Sequence, residues 1–218
     1  MTCLIDLEKA VELRRIPGRN SSKADIVVYR VQDKCLALKD YSSRPWWLRW
    51  IVGRWLIARE AHAYRRAVGI AGLATFLGRP SPCALATEWI EGETLREYGT
   101  ERPAPPQLLP QLRRTLDELH ARGIALGDLH RSDILVAASG EIRIVDLATA
   151  VCRDRIGSAW LFQHLRRQDK IALARLEAHV AGGDEESAVA ALGEQVLRQY
   201  KRSRRLKATW NRLRGKGS

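Results

Sequence analysis

The sequence predicts an α+β protein of one or two compact lobes, on three observations. Two stretches, Ser21 to Leu38 and Ile134 to Val145, each hold a pair of short β-rich runs around a polar turn, the pattern of an antiparallel hairpin. Two others, Leu108 to Leu119 and Trp160 to Leu176, repeat their apolar residues at the helical period. The 218 residues are enough to bury a real core, and the 45% apolar and 28% charged content is that of an ordinary globular chain.

From the start of the chain, MTCLIDLEKAVELRR mixes acids with apolar residues and has no continuous apolar core. It does not read as a secretory signal, so a cytoplasmic protein is expected. Cys3, Cys35, Cys83 and Cys152 are scattered without a C-x-x-C, which argues against a zinc site or a disulfide framework. The first hairpin, Ser21 to Leu38, turns at Gln32-Asp33-Lys34 and ends on Lys39.

Next comes R-P-W-W-L-R-W-I-V-G-R-W-L-I-A-R, in which Trp46, Trp47, Trp50 and Trp55 alternate with Arg44, Arg49, Arg54 and Arg59. Trp and Arg together suit a membrane interface or an anionic lipid. The apolar part is shorter than the roughly 20 residues that span a bilayer. On a regular helix, five-residue steps advance roughly 140°, which spreads Arg49, Arg54 and Arg59 around the axis and predicts no clean amphipathic face. A helical insert packed on the sheet and a peripheral membrane contact both stay open. Glu60 follows in a helix-compatible segment, and Gly69 to Pro82 is a Gly- and Pro-punctuated connector leading into the apolar run Cys83 to Ile90. Four prolines between Arg102 and Pro110 make a surface loop. The helix from Leu108 then places apolar residues at 108, 109, 112, 116 and 119.

The most informative stretch is Arg122 to Ala150, RGIALGDLHRSDILVAASGEIRIVDLATA. Its hairpin would bring Asp133 and Asp146 to one mouth, with Asp128 five residues before Asp133. Moving a γ-phosphoryl group needs one residue to orient the attacking hydroxyl and oxygen ligands for a Mg²⁺ that neutralises phosphate charge. Asp128 suits the first task; Asp133 and Asp146 suit the second. His130 reads as a packing and hydrogen-bonding element, and Arg131 as a phosphate or substrate contact.

This stretch, G-D-L-H-R-S-D followed by V-D-L-A-T-A, resembles the catalytic segment of the protein-kinase-like superfamily, whose pattern is D-x-x-x-x-N, a hairpin, and an Asp opening D-F-G. The wording is most similar to small bacterial members of the lipopolysaccharide kinase (Kdo/WaaP-like) and RIO-type branches. Leu126 stands where the family usually has His, Asp133 where it has Asn, and Leu147-Ala148 where protein kinases have Phe-Gly. Asp133 keeps an oxygen ligand and adds a negative charge.

The resemblance covers roughly Ser21 to Leu176 and implies a two-lobed fold, a small antiparallel-sheet N-lobe with a reduced, mainly helical C-lobe. It implies ATP and Mg²⁺ or Mn²⁺ as cofactors. Lys39 would hold the phosphates with Glu60 as ion-pair partner. The loop at Asn20-Ser21-Ser22-Lys23 would lie over the phosphates, and the backbone of Glu88 and Ile90 would bond the adenine edge. On this reading the chain divides into a lead-in (1–20), an N-lobe with the Trp/Arg insert and hinge (21–92), a C-lobe with the catalytic loop (93–196), and a basic tail (197–218). No A-P-E follows Asp146, so no phosphorylated activation loop is expected.

The implied function is a kinase acting on a hydroxyl, with a sugar of an envelope glycolipid at the inner membrane face as acceptor. The alternatives are a small RIO-like protein serine kinase and a pseudokinase scaffold. The tail from Leu197 holds nine of the chain's 37 basic residues and no acid, against a net charge of +12, so its partner would be anionic: lipid, nucleic acid, or none at all if the end is simply solvated.

Overall fold

The computed structural model describes residues 10–18, 23–99, 102–154 and 158–202. It is an α+β structure whose largest sheet has five antiparallel strands: β1 (Val11–Ile16), β2 (Asp25–Val31), β3 (Lys34–Asp40), β4 (Phe76–Ser81) and β5 (Ala84–Glu88), in the order β1-β2-β3-β5-β4. The β2–β3 hairpin is the one expected, in full register from Asp25 opposite Asp40 to Val31 opposite Lys34. Alternation puts Val27, Leu36, Leu38, Ala84 and Ala86 together on one face of the sheet.

β1 lies in the stretch read as a lead-in. Its side chains are almost all exposed, and it adds an edge by backbone pairing with β2, broken by a bulge between Glu12 and Arg14. A strand that buries so little gives no apolar alternation to detect.

Between β3 and β4 the backbone is helical from 46 to 66, with a π turn at Leu48–Gly53 leading into α1 (Arg54–Arg66). α1 buries Ile57, Glu60, Ala61, Ala63 and Tyr64. Its placement behind the sheet follows from that stripe, since Leu85 of β5 belongs to the same core.

The second half contains β6 (Gly92–Thr94), α2 (Leu95–Tyr98), α3 (Leu108–Ala121), β7 (Ile124–Ala125), β8 (Ile134–Ala137), β9 (Ile142–Ile144), β10 (Val151–Cys152), α4 (Ser158–Ala181) and α5 (Glu185–Ala190). Thr94 and Glu97 form a reciprocal capping box that starts α2. The apolar period of α3 is realised as Leu108, Leu112, Leu116 and Leu119, all buried against Ile124, Ile134, Ile144 and Leu147. β8 and β9 form the second expected hairpin, with β6 as a third strand beside β8.

The connector before β4 is pinned to that hairpin. Ala74 N–H donates to Ile144 O at 3.0 Å, and Ile144 N–H donates to Gly72 O at 2.8 Å. Past α5, residues 194–202 are helical, and Tyr200 is buried with Ile171 and Val189, so the opening of the basic tail belongs to the folded body. Among the described residues no helix is long and apolar enough to cross a membrane.

Candidate functional site

The site forms where β3, α1 and the β8–β9 hairpin meet. Alternation along β3 aims Leu36 and Leu38 into the sheet's apolar cluster and turns Lys39, one residue on, to the other face. There its Nζ lies 2.9 Å and 3.1 Å from the two carboxylate oxygens of Glu60 and 3.2 Å from Asp146 Oδ1. Two carboxylates far apart in sequence thus share one ammonium.

Burial works against the charge on Lys39, but the carboxylates of Glu60 and Asp146 more than offset it and hold its pKa above the usual lysine value. Burial pushes the Glu60 carboxyl up, with Lys39 opposing and Asp146 adding to the rise. Asp146 is also drawn up by burial; yet Lys39 and the backbone N–H of Ala148, 2.8 Å from Oδ1, leave it below the ordinary carboxylate range.

The hairpin does what its spacing suggests. Ile134 pairs with Ile144, and Val145 N–H donates to Asp133 O at 3.0 Å, which sets Asp133 and Asp146 at one end of the two strands. Asp133 accepts from His130 N–H at 3.2 Å and from Ser132 Oγ at 3.1 Å. Burial raises its pKa, and the neighbouring charge of Asp146 raises it further. Among the described residues no three His, Cys, Asp or Glu side chains gather in one group. One or two carboxylates are nevertheless what Mg²⁺ ordinarily takes from a protein, with phosphate oxygens and water completing the octahedron. Asp146 Oδ2 takes part in neither the Lys39 nor the Ala148 bond, and a hard oxygen donor there fits that ion.

Asp128 projects into solvent, its side chain 58% exposed, with His130 Nε2 3.0 Å from Oδ1. His130 is itself 63% exposed; it bonds, as expected, but does not pack. Arg131 turns the other way: its guanidinium donates to His179 Nε2 on α4 at 2.8 Å and lines a cleft of about 210 Å³ with Tyr98 and Arg102.

Lys23 is exposed at the entrance to β2, and its charge adds slightly to the lowering of the Asp146 pKa; Ser21 and Ser22 lie outside the described residues. Glu88 ends β5 with its N–H donated to Thr75 O and its carboxylate paired to Arg143 of β9 at 3.1 Å, and Ile90 follows half-buried.

Sequence reasoning missed the support behind these groups. Asp169 on α4 is fully buried, and its carboxylate accepts from Leu126 N–H at 2.9 Å, Gly127 N–H at 2.6 Å and His120 Nε2–H at 2.8 Å. It fixes the backbone immediately before Asp128. Gly127 there adopts a φ of +78°, and a Cβ on it would meet Leu165 Cδ2 at 2.7 Å. The signal was present: Asp169 falls seven residues after buried Phe162 and seven before buried Leu176, an acid on an apolar stripe that must find donors.

Asp25 does similar work at the first loop. Its carboxylate accepts from Gly18 N–H at 3.0 Å, from Ser43 Oγ at 2.7 Å and from Arg44, whose Nε also reaches Lys23 O. α1 is tied to the segment after β9 as well, through Arg59 to Ala148 O and Tyr64 Oη to Val145 O at 3.0 Å.

No protein-family model matches the chain, and no curated protein matches it.

Proposed function

We propose that this chain has a two-lobed protein-kinase-like fold and acts as an ATP-dependent phosphotransferase, with a sugar hydroxyl of an envelope glycolipid as acceptor. The observation that carries the reading is Lys39, held between Glu60 at 2.9 Å and Asp146 at 3.2 Å. An ammonium kept charged beside a two-carboxylate hairpin mouth is what bound phosphates and their metal ion need.

In this mechanism Lys39 binds the phosphate oxygens of ATP, oriented by Glu60. Asp133 and Asp146 would hold Mg²⁺, which supplies neutralisation of the charge on the β- and γ-phosphates. Asp128 receives the acceptor hydroxyl from the solvent side and takes its proton as the hydroxyl oxygen bonds to the γ-phosphorus. The bond from that phosphorus to the β,γ-bridging oxygen breaks, and ADP departs with the electron pair. Asp169 keeps the loop carrying Asp128 in place through its bonds to Leu126 and Gly127.

The test is transfer of label from γ-labelled ATP with Mg²⁺ or Mn²⁺ into a fractionated cell-envelope extract, with wild type and Asp128→Asn side by side. Label in the lipid fraction that falls by about 10²-fold or more in the variant is expected, the scale of losing a positioned proton acceptor. Asp128-dependent label in protein would replace the glycolipid acceptor by a protein hydroxyl. ATP binding without any Asp128-dependent label would make the chain a nucleotide-binding scaffold.

A further inference from the structure

The π turn changes what the Trp/Arg segment presents. Closed by the Arg54 N–H to Arg49 O bond, it advances each residue by roughly 80–85° instead of the 100° of an α-helix, and so resets the phase of the helix that follows. Its inner side is held to the body: Leu48 and Gly53 are buried, a Cβ on Gly53 would sit 2.8 Å from Tyr41 Cγ, and Cys83 Sγ donates to Arg49 O at 3.4 Å. The outer side gathers Trp46, Trp47, Trp50, Ile51 and Trp55, each between 48% and 71% exposed. Four of the chain's seven tryptophans stand on this one surface.

The surroundings of this face are basic. Arg54 is exposed among the rings, while Arg49 and Arg59, each also bonded to the body through Ser42 O and Ala148 O, lie over the Trp50 ring at 5.7 Å and the Trp55 ring at 4.9 Å. From Tyr41 to Arg66 the one acid is Glu60, and it is buried and paired to Lys39. Indole rings flanked by guanidinium groups match the headgroup region of an anionic bilayer, where the ring body meets the acyl boundary and the cation meets lipid phosphate. A second copy of this chain is disfavoured, because two molecules of net charge +12 repel.

We propose that the outer face of the π turn and the start of α1 is a docking surface for an anionic lipid bilayer. The inference is independent of phosphotransfer, since none of the five residues belongs to the Lys39 cluster. It differs from a contact made by the basic tail in requiring the indoles.

The experiment is co-sedimentation of the full chain with vesicles of phosphatidylglycerol and phosphatidylcholine, and with phosphatidylcholine alone. Wild type is compared with the combined variant Trp46→Ser, Trp47→Ser, Trp50→Ser, Trp55→Ser, and with Trp160→Ser, which removes a 74% exposed indole elsewhere. Expected are binding to the anionic vesicles, a fall of roughly tenfold or more in partitioning for the combined variant, and no change for Trp160→Ser. The single variant Trp46→Ser and quenching of wild-type fluorescence by brominated acyl chains give the same reading if the combined variant does not fold. Equal partitioning of wild type and combined variant, failure of wild type to bind, or absence of quenching overturns the proposal. So does a loss confined to single-stranded DNA binding with vesicle binding unchanged.

Discussion

A half-buried ammonium shared by two carboxylates, one of them fully buried, cannot be exchanged for a neutral side chain without stranding charge. In Lys39→Ala the fully buried Glu60 loses its partner, and breaking such a pair costs about 3–5 kcal/mol. The loss should depend on pH. Burial raises the Glu60 pKa above its ordinary value of 4.5, so once Lys39 is gone the folded state favours the protonated acid. A group with a raised folded pKa stabilises fully below the unfolded value and loses that contribution as pH rises through the folded one. Lys39→Ala is therefore least destabilised near pH 4.5 and progressively more so toward neutrality, read from urea midpoints of variant and wild type across that range. A pH-independent difference would mean that Glu60 is not left as the stranded charge. Asp169→Ala belongs to the same scale. It removes the acceptor from two backbone N–H groups and an imidazole at once, so about 3 kcal/mol or more of stability is expected to go, while Asp169→Asn keeps an oxygen for the loop and loses less. Denaturation curves of the two variants decide it.

Elements were legible in proportion to the regularity of their burial. α3 was readable because its four leucines repeat on one buried stripe, and the β8–β9 hairpin because two short apolar runs flank Ser139-Gly140. β1 was not, because an exposed edge strand is specified by backbone bonds that any sequence can make. The exposed face of the Trp/Arg segment is hidden in the sequence for another reason: a π turn interrupts the 100° step, and Arg49 and Arg59 lie over the Trp50 and Trp55 rings. Asp128, Asp133 and Asp146 could be found from spacing, whereas Lys39 and Glu60 have no local signature and were placed only by the order of the family's residues. Asp169 and Asp25 accept from backbone and side-chain donors remote in sequence, so Asp169 shows only as an acid on an apolar stripe and Asp25 leaves no motif. The π turn can be tested directly. A side chain at Gly53 would press on Tyr41, so Gly53→Val should cost about 1–3 kcal/mol and broaden the environment of the neighbouring indoles, measured by thermal melting and Trp emission. An unchanged melt would show that the turn can relax at no cost.

At the scale of the whole molecule, the sheet and the helical half share one apolar core and are joined by contacts of charged side chains, among them Lys39 to Asp146, Arg143 to Glu88, and Arg59 to Ala148 O. A ligand binding there would add contacts to both halves and none to the unfolded chain. By linkage, a nucleotide at a hundred times its Kd stabilises the fold by about 2.7 kcal/mol, which for a chain of this size raises Tm by roughly 5–11 °C. ATP with Mg²⁺ should produce that rise in the wild type. Asp128→Asn should retain it, because Asp128 projects into solvent and is not among the groups bonded to Lys39. Asp146→Asn should lose most of it, because the same carboxylate bonds Lys39 and, in the proposed site, would offer the oxygen for the metal ion. A thermal shift that survives Asp146→Asn would place the nucleotide elsewhere in the molecule, and one absent from the wild type would remove ATP from the proposed reaction.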